Sequence, residues 1–163
     1  METIAVYRES RTKTYGFQRI TDLALIEFSY PRSEIKPLGE ILSQDDLQML
    51  SPKFMIAQES DQKISFVLCL SVKEGKDFHR SLEKTPGATP SRYICPVGII
   101  FFHGPHFGDR YGIADATFST LSRAEIRVIA SGCSSSSIYL VLLQDDMAKA
   151  EEVLGETFEV AQS

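Results

Sequence analysis

The order of elements in the first half of this 163-residue chain is written again in the second. Residues 22–31 (DLALIEFSYP) have the composition of a strand. Residues 33–47 carry Ile35, Leu38 and Leu42 on one helical face, with Pro37 tolerated near the first turn. Residues 53–59 and 64–72 read as two further strands, and residues 73–85 put Phe78 and Leu82 at i, i+4 on a second helix. In the second half, residues 95–104 form an apolar strand. Residues 112–124 place Ala114, Phe118 and Leu121 on one helical face. Residues 126–132 and 137–143 are strands, residues 145–158 a helix with Met147, Ala150, Leu154 and Phe158 inside, and 158–160 a closing strand. Ile64 and Ser137, which open equivalent strands, are 73 residues apart; Lys73 and Asp145, near the starts of equivalent helices, are 72 apart. Two equivalent elements at nearly one offset point to a tandem duplication.

Each half reads β-α-β-β-α-β, the ferredoxin-like plan. The expected class is α+β: two such units in tandem, with antiparallel sheets and helices on one face. Residues 1–20 fit neither unit and are expected as an added hairpin, strands 3–9 and 14–20, that joins the sheet of the second unit. The units then span 21–90 and 91–163, with the Pro- and Gly-rich stretch 85–92 as the linker.

Composition removes several functions. The net charge is −5 and no Lys/Arg cluster stands out, which argues against nucleic acid. The longest apolar run, 95–102, is too short to span a bilayer, and the first residues lack the plan of a signal peptide, so a cytoplasmic protein is expected. Cys69, Cys95 and Cys133 are odd in number and widely spaced, as reduced thiols would be. No glycine-rich phosphate cradle is present and no cofactor is expected.

The stretch HGPHFGDRYG, residues 103–112, follows the buried strand and concentrates glycine, histidine and charge. Gly104, Gly108 and Gly112 allow close approach and positive φ. The amides of a following helix suit a carboxylate, which Arg110 can also fork, and Asp109 can accept from an ammonium. Simpler roles stand beside these: Asp109 as helix cap, Arg110 as a solvated charge, the glycines as a turn, Ser134–Ser137 as a hairpin turn. His103, His106 and Asp109 lack a fourth ligand for a metal, and Cys133 lacks a base, so neither a metal nor catalysis is expected.

Gly104, then Gly112-Ile113-Ala114, then Phe118 and Leu121, followed by IRVIASGCSSSSIYLVLL and the helix with Ala150, Leu154 and Phe158, resembles the ACT domain. The likeness is closest to the tandem ACT region at the C-terminus of aspartokinases. It departs in lacking the kinase domain and the glutamate of the serine-rich turn, where Cys133 and Ser134 stand. The resemblance implies a freestanding, non-catalytic regulator that binds a small amino acid between ACT units and forms a homodimer. The implied ligand-binding set is Gly104, His106, Phe107, Gly108, Asp109, Arg110, Tyr111, Gly112, Ile113, Ala114, Ala130, Ser131 and Ser134. The alternatives are an assembly module without a small ligand, and a small enzyme using the loop from His103 to Arg110.

Overall fold

Two 15-residue strands, β2 (Phe17–Pro31) and β5 (Thr89–His103), organise the molecule. The computed structural model describes residues 11–34, 50–60, 62–105 and 107–160. In chain order the other elements are β1 (Lys13–Thr14), β3 (Phe54–Glu59), β4 (Lys63–Ser71), α1 (Val72–Glu83), α2 (Ile113–Arg123), β6 (Ala130–Cys133), β7 (Ser137–Leu143), α3 (Met147–Thr157) and β8 (Glu159–Val160). The helix expected over 33–47, apart from a 3-10 turn at Arg32–Glu34, and the strand expected over 3–9 lie outside the described residues.

The fold is α+β and ferredoxin-like, as expected, but the two expected sheets are one. Its strand order is β3-β4-β2-β5-β7-β6. β2 and β5 start 72 residues apart and run antiparallel along nearly their whole length, from Phe17↔Phe102 to Ser29↔Thr89. Exchanging the two strands at that offset returns the same register to within one residue. β4 pairs with β2 only from Leu23 onward, and β7 pairs with β5 only from Val97 onward. Each long strand is therefore the first strand of one four-stranded group and the last of the other. The division expected between residues 90 and 91 falls inside β5, and only the first part of 85–92 is a turn. The closing strand expected at 158–160 pairs instead with β1, parallel, at Lys13↔Glu159 and Thr14↔Val160. Its place beside β5 is taken by Phe17–Ile20, which pair with Ile99–Phe102.

Alternation sorts the strand residues onto two faces. On the outer face Ala24, Ile26, Phe28, Tyr30, Leu68 and Leu70 meet Phe78 and Leu82 of α1. Further along the same face Ile100, Phe102, Ile138, Leu140 and Leu142 meet Leu121 of α2 and Met147, Ala150 and Leu154 of α3. The repeat extends to the packing. Gly75, Phe78 and Leu82 are buried on α1, and Met147, Ala150 and Leu154, each 72 residues later, are buried on α3. Gly75 leaves room for Ala24 and Ile26, since a Cβ there would lie 2.7 Å from Ala24 Cβ and 3.3 Å from Ile26 Cδ1. At the equivalent pair the sizes are reversed: Gly98 makes room for the Met147 thioether. One large and one small partner fill each space.

On the inner face Leu23, Leu25, Cys69, Val97, Ile99 and Val141 form a third cluster with Phe54 of β3. β3 and β6 are opposite edges of the sheet, yet a Cβ on Gly132 would sit 3.2 Å from Phe54 Cε2. The sheet thus curls until its edges meet, burying its helix-free face inside.

The stripe expected on α2 is out of phase. Ile113, Thr117 and Leu121 are buried, while Ala114 is exposed and Phe118 half-buried against the core. A threonine can be buried here because its Oγ1 donates to the Ile113 carbonyl at 2.8 Å, so no polar atom is stranded. β6 is also shorter than expected, beginning at Ala130 and not at Ile126.

Candidate functional site

β5 delivers the loop. Its last residue, His103, is held by its carbonyl, which accepts from the Tyr15 amide at 3.0 Å and from Thr14 Oγ1 at 2.8 Å. Gly104 lies against the Lys13 carbonyl, and a Cβ there would come 2.6 Å from Phe107 Cε1, so no side chain fits. The Phe107 ring packs edge-on against Phe102 at 5.9 Å and reaches Phe158 at 6.5 Å, anchoring the loop to the core. Gly108 passes close to the β6–β7 turn, where a Cβ would be 3.2 Å from the Ser135 carbonyl.

Gly112 then opens α2 as its N-cap in the left-handed region, at φ +86°. Its carbonyl accepts from the Ala116 amide at 2.9 Å. Among the described residues no side chain caps this helix by a hydrogen bond. Asp109, expected as a possible cap, stands three residues too early, and a cap must be the residue whose carbonyl starts the helical ladder. The first-turn amides and the positive end of the helix dipole thus face a hollow.

That hollow is a pocket of about 230 Å³, lined by Phe107, Arg110, Tyr111, Gly112, Ile113 and Ala114 from the loop and helix, and by Cys133, Ser134 and Ile138 from the facing hairpin. It brings together seven of the thirteen residues expected at the site. Gly104 and Gly108 support the loop without lining the pocket. Asp109 is exposed outside it. Ala130 packs into the inner-face cluster, away from the pocket, and Ser131 pairs with Leu140 further along β6. His106 lies outside the described residues. Ser134 Oγ accepts from the Ser137 amide at 3.1 Å and its own amide donates to the Ser137 carbonyl at 2.9 Å, so it holds the hairpin turn while it lines the pocket.

Cys133 and Ile138 were missed as lining residues. Their signal lay in register: they are partners across the hairpin, on the helix-covered face. His103 packs at a tilt against Tyr15, 5.2 Å between ring centres, and among the described residues no three His, Cys, Asp or Glu side chains gather as a metal site would need. No described helix is long and apolar enough to cross a membrane.

The pocket, the glycine-led loop and the βαββαβ order define the class. Residues 103–158 match the ACT domain family, which bears out the resemblance over that span. The whole chain then matches solved structures of one kind. The regulatory subunit of aspartate kinase from Thermus thermophilus, in its ligand-free form, is 11% identical with a TM-score of 0.72, over 90% of this chain and 99% of that one. Aspartate kinase from Synechocystis is 13% identical with a TM-score of 0.72, over 97% of this chain and 29% of that one. E. coli aspartokinase III in complex with lysine and aspartate is 13% identical with a TM-score of 0.60, over 94% of this chain and 35% of that one. At these identities the likeness is one of fold: this chain has the architecture of the aspartate kinase regulatory region. No curated protein sequence matches it.

Proposed function

We propose that this chain is a non-catalytic regulatory module that binds a small amino acid in the pocket at the start of α2, with another ACT unit closing over it, and that it works as a homodimer. The observation that carries this reading is the uncapped N-terminus of α2 opening into the pocket behind left-handed Gly112. Those amides suit a carboxylate, and Arg110 at the rim adds charge. The Ser134 hydroxyl, already an acceptor, is placed beside the ammonium. The hydrophobic side of the pocket, Phe107, Ile113 and Ile138, favours a compact side chain. The class of fold shared with aspartate kinase regulatory subunits supports effector sensing over chemistry.

The test is a thermal-shift screen of the twenty amino acids. A ligand at 100 times its Kd stabilises the native state by about 2.7 kcal/mol. Ala114→Met, at an exposed position on the pocket wall, should fill the pocket and abolish the shift while the unliganded melting temperature holds. No shift with any amino acid would leave an assembly module in its place. Light scattering with and without the hit reads the dimer.

A further inference from the structure

A second cleft, remote from α2, lies between α1 and the first half of β5. It measures about 530 Å³ and is walled by Val72, Lys76, His79, Arg80 and Glu83 on the helix and by Tyr93 and Cys95 on the strand. Past His79 it continues into a hollow of about 430 Å³ beside Arg92. The cleft is open because β7 joins β5 only from Val97, leaving residues 89–96 without a strand on that side.

Its two cations, Lys76 and Arg80, outnumber its one carboxylate, Glu83, which faces His79 at 3.9 Å, in a chain that is −5 overall. Lys76 and Arg80 are four residues apart on one helical face, an unfavourable arrangement for like charges unless an anion joins them. Among the described residues Lys76 has no hydrogen-bond or ion-pair partner, and the Arg80–Asp77 pair is stretched to 3.8 Å. Val72 and Tyr93 offer apolar surface, 37% and 38% exposed, and the Tyr93 ring is braced by His79 at 5.0 Å between centres. The Tyr93 hydroxyl lies beside the Cys95 thiol. Burial, followed by that neighbour, raises its pKa, so it stays a protonated donor.

The duplication supplies an internal comparison. At the offset of 72 that aligns the buried positions of α1 and α3, Lys76, His79, Arg80 and Glu83 correspond to Ala148, Glu151, Glu152 and Gly155. There Glu151 Oε2 is 3.1 Å from Arg19 Nε, and the ion pair ties α3 to β2 across the corresponding cleft. The fold therefore does not require cations at these positions. They belong to the first unit alone.

From this geometry we propose that the α1–β5 cleft binds a small molecule carrying one oxyanion, carboxylate or phosphate, on an apolar body. Lys76 and Arg80 hold the oxyanion, and the body lies on Tyr93 against Val72. The volume is within the usual range for small-molecule sites. The site is independent of the amino-acid pocket.

The three cysteines provide the test. Cys95 and Cys133 are exposed, one in each pocket, while burial pushes the Cys69 thiol up to about 12 and keeps it inert. Alkylation by iodoacetamide is followed residue by residue by mass spectrometry, with phenyl phosphate and phenylacetate as probes. At ten times the Kd of a probe, Cys95 should react about tenfold more slowly while Cys133 is unchanged. Protection by phenyl phosphate alone assigns the oxyanion as phosphate, and by phenylacetate alone as carboxylate. Lys76→Ala/Arg80→Ala, both surface changes, should remove the protection. Equal slowing of both cysteines, no slowing with either probe, or full protection in the double variant would overturn the site. Because Cys133 reports on the other pocket, a failed amino-acid screen leaves this result readable.

Discussion

Gly112 is the residue on which the geometry at α2 depends. Its φ of +86° is one that L side chains rarely adopt, yet a Cβ there would meet no atom within 4 Å. Gly112→Ala therefore isolates backbone strain from steric clash. It should lower unfolding free energy by about 1–2 kcal/mol in urea titration, with Gly112→Asn recovering part of the loss. A change near zero would mean the loop reaches the helix by another path. The glycines of this loop were legible as turn residues because each has a distinct steric reason. The helix start was not. Asp109 reads as a cap by composition, and only the left-handed turn at Gly112 shows that the ladder begins three residues later.

Among the elements, α1 has the most explicit start signal. Ser71 closes β4 and caps the helix: its hydroxyl accepts from the Glu74 amide, and the Glu74 carboxylate returns to the Ser71 amide. The Ser71 side-chain hydrogen bond is the main cause that holds the Glu74 carboxyl below its ordinary value, against a smaller desolvation effect. A depressed carboxyl contributes stability above its unfolded pKa and loses it as pH falls through the folded one. Ser71→Ala should cost about 1 kcal/mol at neutral pH. Part of that cost should vanish as pH falls through the depressed pKa of Glu74, where the wild type also loses the ionised partner; urea unfolding at neutral pH and through the acid range measures it. A constant difference across pH would assign the loss to the hydroxyl–amide bond alone. Elements with strong period were legible in the sequence: β7 spans Ser137–Leu143 as read, and the buried positions of α3 follow its stripe. On α2 the phase was missed because a buried threonine looks polar until its hydrogen bond to Ile113 is seen.

For the whole molecule, the shared strands make the two halves interdependent. Residues 87–163 alone would lack Phe17–Ile20 beside β5, and Leu23 and Leu25 from the inner cluster. Neither 1–86 nor 87–163 should fold by itself, whereas a chain cleaved in the turn at Gly87 should stay assembled. Circular dichroism of the fragments and gel filtration of the nicked protein measure both, and a cooperative unfolding transition from 87–163 alone would contradict the shared-strand account. The duplication was legible because periodicity is local. The sharing was not, because the register between residues 17–31 and 89–103 depends on which distant segments pair. The nearly exchangeable register of β2 and β5 also bears on descent. An ancestor of half this length could have closed the same sheet with a second copy of itself, each lending the other its leading strand. Fusion made that partnership covalent, and only then could a substitution change one copy and spare its twin; Arg80 opposite in sign to Glu152 is a trace of that liberty.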